Sequence, residues 1–352
     1  MLPIEYHYQE GVDPARGLAT DRYFLNSFHK GGRPRAAVLR VYSMRGDWVS
    51  AGRYHRIERA KTTPRIWRRL SGGRAMPFGE GFLGFSLLLP HRSALVSDEP
   101  FHLSPYQVPN RYARGILTAL RGLGIDAFYP GRDFVTVNRK VIAMVTFETD
   151  ERGALVFEGF IAVERDFGLL ARFLAEADPE GHLAGERIDP AAVTSAVAEL
   201  DEERKPRELA EALRRGFGEQ FGVETPAREL SPLEEQAIGA IEVREFQEDW
   251  LGIRDPGEGL DLAAATPVAL GVFEVRLGLE QERFVREVRL TGDFIANSAG
   301  VDALERELKL CPADWRSVAL VADQIYNRPE NYILGIGKLR TIPDTIVKAL
   351  PA

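Results

Sequence analysis

The sequence holds a single cysteine, Cys311, in 352 residues. One thiol cannot close an internal disulfide or build a cysteine-only metal site, so a reducing compartment is the expected setting. Long apolar runs are also missing: none reaches the ~18 residues that a membrane-spanning helix needs. The opening stretch MLPIEYHYQEGVDP has neither the basic start nor the apolar core of a secretory signal. A cytoplasmic protein without a membrane partner is expected. His7, His29, His91, His102 and His182 are scattered, with no spacing to one another or to carboxylates that would specify zinc. Repeats at a fixed period and low-complexity tracts are absent, which sets aside solenoids and tethered linkers.

What is present is an ordinary globular composition, 45% hydrophobic and 28% charged, of a length that suggests about two domains. The net charge of -7 hides an asymmetry. Between Lys30 and Arg74 thirteen Lys and Arg stand against Asp47 and Glu58 alone, so that segment is +11 and the rest of the chain is -18. An anionic ligand or partner is the functional reading, and a solvated basic surface the plain one. Nothing points to nucleic acid.

Patterning places strands at 36–42, 48–51, 82–89, 134–137, 141–147 and 154–163, where β-branched, aromatic and aliphatic residues cluster. Asn138-Arg139-Lys140 reads as a hairpin between two of them. Helices are expected after Pro109, with Tyr112, Ile116, Leu120 and Leu123 in phase, and after Pro206, with Leu209, Leu213, Phe217 and Phe221 four apart. Consecutive strands without intervening helices favour a mixed or antiparallel sheet, giving an α+β class. Residues 229–262 are turn-rich and acidic and read as a connection. Beyond it, strands at 271–277 and 284–290 and helices at 301–310 and 315–326 form a second, smaller α+β unit.

The chemistry concentrates in two places. Arg68-Arg69-Leu70-Ser71-Gly72-Gly73-Arg74-Ala75 runs through Gly79 and Gly81 into an apolar strand. Glycines there let backbone N–H groups approach a carboxylate or phosphate, and arginines add fixed charge. The stretch is neither a Walker A loop nor a dinucleotide fingerprint, since it lacks Gly-Lys-Ser/Thr and G-x-G-x-x-G. Some sixty residues on, Gly131-Arg132-Asp133 leads to Lys140, a lysine expected at the rim of the core, where an ammonium group can stabilise a phosphoryl or carboxyl oxygen.

Together these residues resemble the lipoate protein ligase branch of the biotin and lipoate ligase superfamily. Its loop R-R-x-S-G-G-G-A is matched by Arg68, Arg69, Ser71, Gly72, Gly73 and Ala75, with Gly81 beyond. Its G-R-N-D element and following lysine are matched by Gly131, Arg132, Asp133 and Lys140. Ala51-Gly52-Arg53-Tyr54-His55 is similar to the family's G-R-x-Q turn, and Thr291-Gly292-Asp293-Phe294 to a G-D-F of its accessory domain. Arg74 replaces the third loop glycine, Phe78 and Gly79 stand where the family has His-Asp, and Ala143 replaces a glycine after the lysine.

The resemblance implies a mainly antiparallel sheet flanked by helices over residues 1–232, a linker at 233–262, and an accessory α+β domain at 263–352. It implies ATP-dependent attachment of lipoate to a lysine of a lipoyl domain protein through lipoyl-adenylate, with Mg²⁺ as ATP's companion. Lys140 would be catalytic. Arg69, Ser71, Gly72, Gly73, Arg74, Ala75 and Gly81 would bind lipoate and its adenylate, Arg132 and Asp133 the nucleotide, and Asp133 the metal. A catalytically weak lipoyl-binding or acyltransferase homologue and a biotin protein ligase remain as alternatives. A cysteine-based acyltransferase is disfavoured, because Cys311 lies in the accessory region.

Overall fold

The computed structural model describes residues 2–31, 36–57, 65–177, 189–202, 205–246, 248–254 and 259–351. In chain order the first part contains β1 (Ile4–Val12), α1 (Pro14–Ser27), β2 (Ala37–Met44), β3 (Asp47–Ala51), β4 (Ile66–Arg68), β5 (Met76–Gly79) and β6 (Phe82–Leu89). There follow α2 (Val108–Gly122), β7 (Ala127–Phe128), β8 (Phe134–Val137), β9 (Lys140–Thr149) and β10 (Leu155–Ala162). Helices α3 (Leu170–Ala177), α4 (Ala196–Leu200), α5 (Pro206–Phe221), α6 (Pro232–Glu245) and α7 (Glu248–Leu251) complete it. The second part comprises β11 (Leu262–Val268), β12 (Gly271–Glu280), β13 (Phe284–Gly292), β14 (Ile295–Ala296), α8 (Ser298–Glu307), α9 (Trp315–Tyr326), β15 (Ile333–Leu334) and α10 (Thr341–Ala349).

A seven-stranded sheet in the order β1-β2-β6-β10-β9-β8-β7 organises the first part. Only the β1–β2 pair is parallel; the other pairs run antiparallel, as strands joined without crossover helices must. Its central strands β6 and β10 are buried along their whole length, which is why they read as unbroken apolar runs. One face is covered by α2 and α5, whose phased residues Tyr112, Ile116, Leu213 and Phe217 meet Leu39, Phe85 and Phe157. Each such side chain contributes about 1.5–3 kcal/mol by leaving water. The other face carries α1, α6 and a small sheet in the order β4-β3-β5. That small sheet holds the glycine-rich loop.

The acidic segment read as a connection is largely helical. Ser231 opens α6 with a capping box to Glu234, and Ile238 and Ile241 pack beneath α1. A high charge density on the exposed face masked this apolar edge. In the second part, β11-β12-β13 form an antiparallel sheet whose inward residues, Phe273, Val275, Val288 and Leu290, pack against α8, α9 and α10. Tyr54, from the first part, belongs to that same core: it stacks on Phe294 at 4.4 Å and donates to the Ala296 carbonyl at 3.0 Å.

The +11 segment is not one basic surface. Arg40, Arg68, Arg69 and Arg74 are each no more than 3% exposed. Arg33, Arg35, Arg59 and Lys61 lie outside the described residues. Sequence counting could not foresee that a third of these cations point inward to carbonyls and carboxylates.

Candidate active site

The loop between β4 and β5 folds around one of its own arginines. Arg69 donates through Nη1 to the Ser50 carbonyl at 2.9 Å and through Nη2 to the Gly72 and Arg74 carbonyls at 2.6 and 2.8 Å. Burial pulls its pKa down to about 10, against the favourable pull of Glu158, Asp133 and Asp293. Arg68 likewise donates to the Arg53 and His55 carbonyls at 2.7 and 2.6 Å. Both arginines thus hold backbone in place.

Other loop groups are spoken for as well. Ser71 donates from its backbone N–H and its hydroxyl to Glu158 Oε1, at 3.0 and 2.6 Å, and burial raises the Glu158 pKa. Arg74 and Asp133 form a two-contact pair, 2.6 and 3.3 Å long, with both side chains under 5% exposed. Gly72 accepts from Thr146 Oγ1 at 2.9 Å. Gly73, at φ +87°, donates its N–H to the Phe294 carbonyl of the accessory unit at 2.7 Å. Ala75 packs in a small apolar cluster with Val49 and Phe173. Gly81 lies apart, at the β5–β6 turn with φ +80°, where its carbonyl receives the Val163 and Glu164 N–H groups.

Lys140 is exposed at the tip of the β8–β9 hairpin, closed by Asn138 and Arg139 at positive φ. Its ammonium group makes no hydrogen bond or ion pair among the described residues. The structure does not bring it against the glycine-rich loop: Thr146 makes that contact, six residues along β9 and so roughly 20 Å away at ~3.3 Å per residue. Arg132 is exposed, lies over the Phe134 ring at 5.2 Å and donates to the Ala269 carbonyl. Asp133 does not fit the expected metal role here, because both its oxygens face Arg74, and the described residues contain no group of three or more carboxylate, histidine or cysteine side chains suited to a cation.

Between the loop and the main sheet the wall is aromatic. Phe78, at one of the family's His-Asp positions, stacks on Phe160 at 4.1 Å and meets Tyr42 edge-on. A second buried network runs below it, in which Arg40 pairs with Asp21 at 2.5 Å and Ser86 donates to the other Asp21 oxygen at 2.8 Å. Pattern reading missed Asp21, Arg40, Thr146 and Glu158. The signal available was a charge inside an apolar strand, as in Val38-Leu39-Arg40-Val41 and Val156-Phe157-Glu158-Gly159. A charge in such a place is kept only if paired.

The accessory unit is joined to the loop by a second contact. His55 Nδ1 accepts from the Gly52 N–H at 3.0 Å, which leaves the proton on Nε2 to donate to Asp293 Oδ1 at 2.8 Å. The turn resembling G-R-x-Q and the G-D-F segment therefore meet. Gly72→Ala would place a Cβ 2.2 Å from the Phe294 carbonyl oxygen and 2.9 Å from the Tyr54 ring. We expect this variant to loosen the accessory unit, with amide exchange at Ile295 and Ala296 faster by about tenfold or more, about 1.4 kcal/mol. Unchanged protection there would contradict the contact.

Glu148, near the end of β9, accepts from the Ser298 N–H at 3.0 Å and from the Ser298 hydroxyl, and burial pushes its pKa up to about 7. A carboxyl whose folded pKa lies above its unfolded value binds more protons when folded. Stability should then fall as pH rises from the unfolded value through about 7, by on the order of 1–3 kcal/mol. Glu148→Gln should flatten that slope in melting experiments across this pH window.

The large, mainly antiparallel sheet flanked by helices and carrying the glycine-rich loop is that of a biotin and lipoate ligase superfamily member. Within it, the chain belongs to the family of the lipoyl protein ligase A/B catalytic domain, whose model matches residues 13–218, more than half of the chain. P. falciparum LipL1, solved in complex with lipoate, superposes with a TM-score of 0.71 at 11% identity, covering 98% of this chain and 99% of that one. A bipartite lipoate protein ligase from Thermoplasma acidophilum, studied with its E2 lipoyl domain, gives 0.56 at 19% identity over 73% and 99%. Lipoate-protein ligase A bound with ATP gives 0.54 at 19% identity over 72% and 99%. Identities this low speak to fold alone. Among curated protein sequences nothing matches.

Proposed function

We propose that the protein joins lipoate to a lysine of a lipoyl domain protein at the expense of ATP. The lipoate carboxylate attacks the α-phosphorus, pyrophosphate leaves, and the acceptor amine then displaces AMP from the acyl carbonyl and loses a proton. The observation that carries this reading is the match of residues 13–218 to the lipoyl protein ligase A/B catalytic domain, within which the candidate catalytic group is Lys140, an exposed ammonium group with no partner among the described residues. It is suited to the charge that builds on phosphoryl and carbonyl oxygens.

In this reading the Gly73 N–H turns to the ligand once the Phe294 carbonyl gives it up. Arg69 keeps the loop shaped, while Ser71, Gly72, Arg74, Ala75 and Gly81 form its walls and hinges. Arg132 lies on the nucleotide side. Mg²⁺ would arrive with the nucleotide phosphates rather than wait on Asp133, whose carboxylate is held by Arg74. No helix among the described residues is long and apolar enough to cross a membrane, and a cytoplasmic setting with a lipoyl domain as partner completes the proposal.

One observation favours a second reading, a catalytically weak homologue that binds an acyl group. Several of the loop's donors are already satisfied internally, by Glu158, Asp133, Phe294 and the carbonyls on Arg69, and Phe78 with Phe160 fills the wall beside them. A single experiment separates the two. The protein is incubated with ATP, Mg²⁺, lipoate or octanoate, and apo lipoyl domains, and both pyrophosphate and the mass of the domain are followed. Acyl addition with pyrophosphate release supports ligation. Lipoate binding without either supports the weak homologue.

A further inference from the structure

Beneath the glycine-rich loop the main sheet carries a polar row. Arg40 on β2, Ser86 on β6, Glu158 on β10 and Thr146 on β9 stand opposite one another in register across four neighbouring strands, and all four are buried. Three of them are matched. Arg40 pairs with Asp21 of α1, Ser86 donates to the same carboxylate, and Thr146 donates to the Gly72 carbonyl. Glu158, 2% exposed, is different, for it makes no ion pair among the described residues. Its Oε1 takes both the N–H and the hydroxyl of Ser71, and its Oε2 makes no hydrogen bond there.

A carboxylate in a buried apolar strand, without a cation in contact, is a costly arrangement. Arg69 offsets it at longer range. Its Nη groups are given to the Ser50, Gly72 and Arg74 carbonyls, and its Nε is buried without an acceptor. The other acids that bear on Arg69 are engaged elsewhere, Asp133 with Arg74 and Asp293 with His55. One guanidinium and the two Ser71 donors thus face a single carboxylate that the chain itself supplies. Backbone N–H, hydroxyl and arginine are also the donors that a ligand's carboxylate would need.

We propose that Glu158 fills the oxyanion seat of the loop in the unliganded protein, and that the carboxylate of a medium-chain acid enters by displacing it from Ser71. This rests on the acyl-acid reading given above. Two carboxylates cannot both stay ionised beside Ser71, so the displaced Glu158 takes up a proton from solvent as the acid binds. Burial and the neighbouring Asp21 already raise its pKa, against the Ser71 donors and Arg69, and losing those donors moves it further up. The charged and titratable groups that face it are Asp21 from α1, Arg40 and Tyr42 from β2 and Arg69 from the loop, with Asp21 held by Arg40. Glu158 is then a positioning residue, which keeps the loop's donors aligned until the acid arrives.

The test is calorimetric titration of the full chain with lipoate and with octanoate, between about pH 6 and about pH 8.5, in two buffers of different ionisation enthalpy so that the protons taken up are counted. The ligand's own carboxyl is already ionised in this range. We expect uptake approaching one proton per acid bound, with affinity falling as pH rises by up to about tenfold per unit. Glu158→Gln matches the protonated residue in shape and still accepts from Ser71. It should bind the acid about tenfold or more tighter than the native chain at the upper pH, with neither proton uptake nor pH dependence. A residue that merely clamps the loop would give weaker binding instead. Melting checks that the variant folds, and the proton count on the native chain decides if it does not. Binding by the native chain without proton uptake, binding no tighter in Glu158→Gln, or no binding by either chain overturns the proposal; binding by Glu158→Gln alone supports it, as a seat the native carboxylate keeps closed. Lipoylation of an apo lipoyl domain by a native chain that fails these tests leaves the ligation reading standing, whereas proton-linked binding without pyrophosphate release supports this proposal and removes that reading.

Discussion

Lys140→Ala is expected to slow lipoate-dependent pyrophosphate release by about a hundredfold to a thousandfold, roughly 3–4 kcal/mol of transition-state stabilisation. The side chain is exposed and unpartnered, so its removal creates no cavity and strands no buried group. Melting temperature should therefore stay within the small range of surface substitutions. Lys140→Arg should not restore the rate, since a planar guanidinium cannot take the place of a compact ammonium group. Single-turnover assays of adenylate formation would check both variants. Turnover like that of the native protein in either one would remove Lys140 from the chemistry.

Breaking the Arg74–Asp133 pair should have the largest effect on stability. Both side chains are under 5% exposed and face each other through two contacts. Removing one partner leaves the other buried charge without this pairing, a loss of about 3–5 kcal/mol. Arg74→Met and Asp133→Leu should each shift the urea midpoint strongly, and the double variant should recover much of the loss, because two apolar groups strand no charge. Two additive losses would show that the side chains do not depend on each other. The pair also shows where the side chain of Arg74, which stands where the family has glycine, goes: its guanidinium is held by Asp133, next to the strand that begins at Phe134.

The organisation of the chain was legible wherever one physical signal dominated. Pro206 followed by Leu209, Leu213 and Phe217 announced a helix because one face has to be apolar. Phe82–Leu89 announced a central strand because both of its faces are buried. The α+β class and the second unit after residue 262 followed from the order of these elements. Less legible were β4 and β5, short strands that owe their pairing to β3 and not to their own composition. Helix α6 was hidden by its charged outer face.

The glycine-rich loop shows where the sequence stops. Arg-Arg, Ser, Gly-Gly and the downstream Asp and Lys could be singled out from residue type and spacing, and with them the family. Which of those groups faces a ligand could not, because hydrogen-bond partners come from residues far along the chain. Ser71 finds Glu158, Arg74 finds Asp133, and Gly73 finds Phe294. Sequence by itself determined the elements with one dominant signal, the family and which residues to single out, since periodicity and motif are local properties. Tertiary structure alone decided that Arg68 and Arg69 clamp backbone, that Lys140 stands free at a hairpin tip, and that the accessory unit rests on the loop. Burial and pairing are set by the packed chain as a whole, and a charge reads the same in sequence whether it meets water, a carbonyl or a carboxylate.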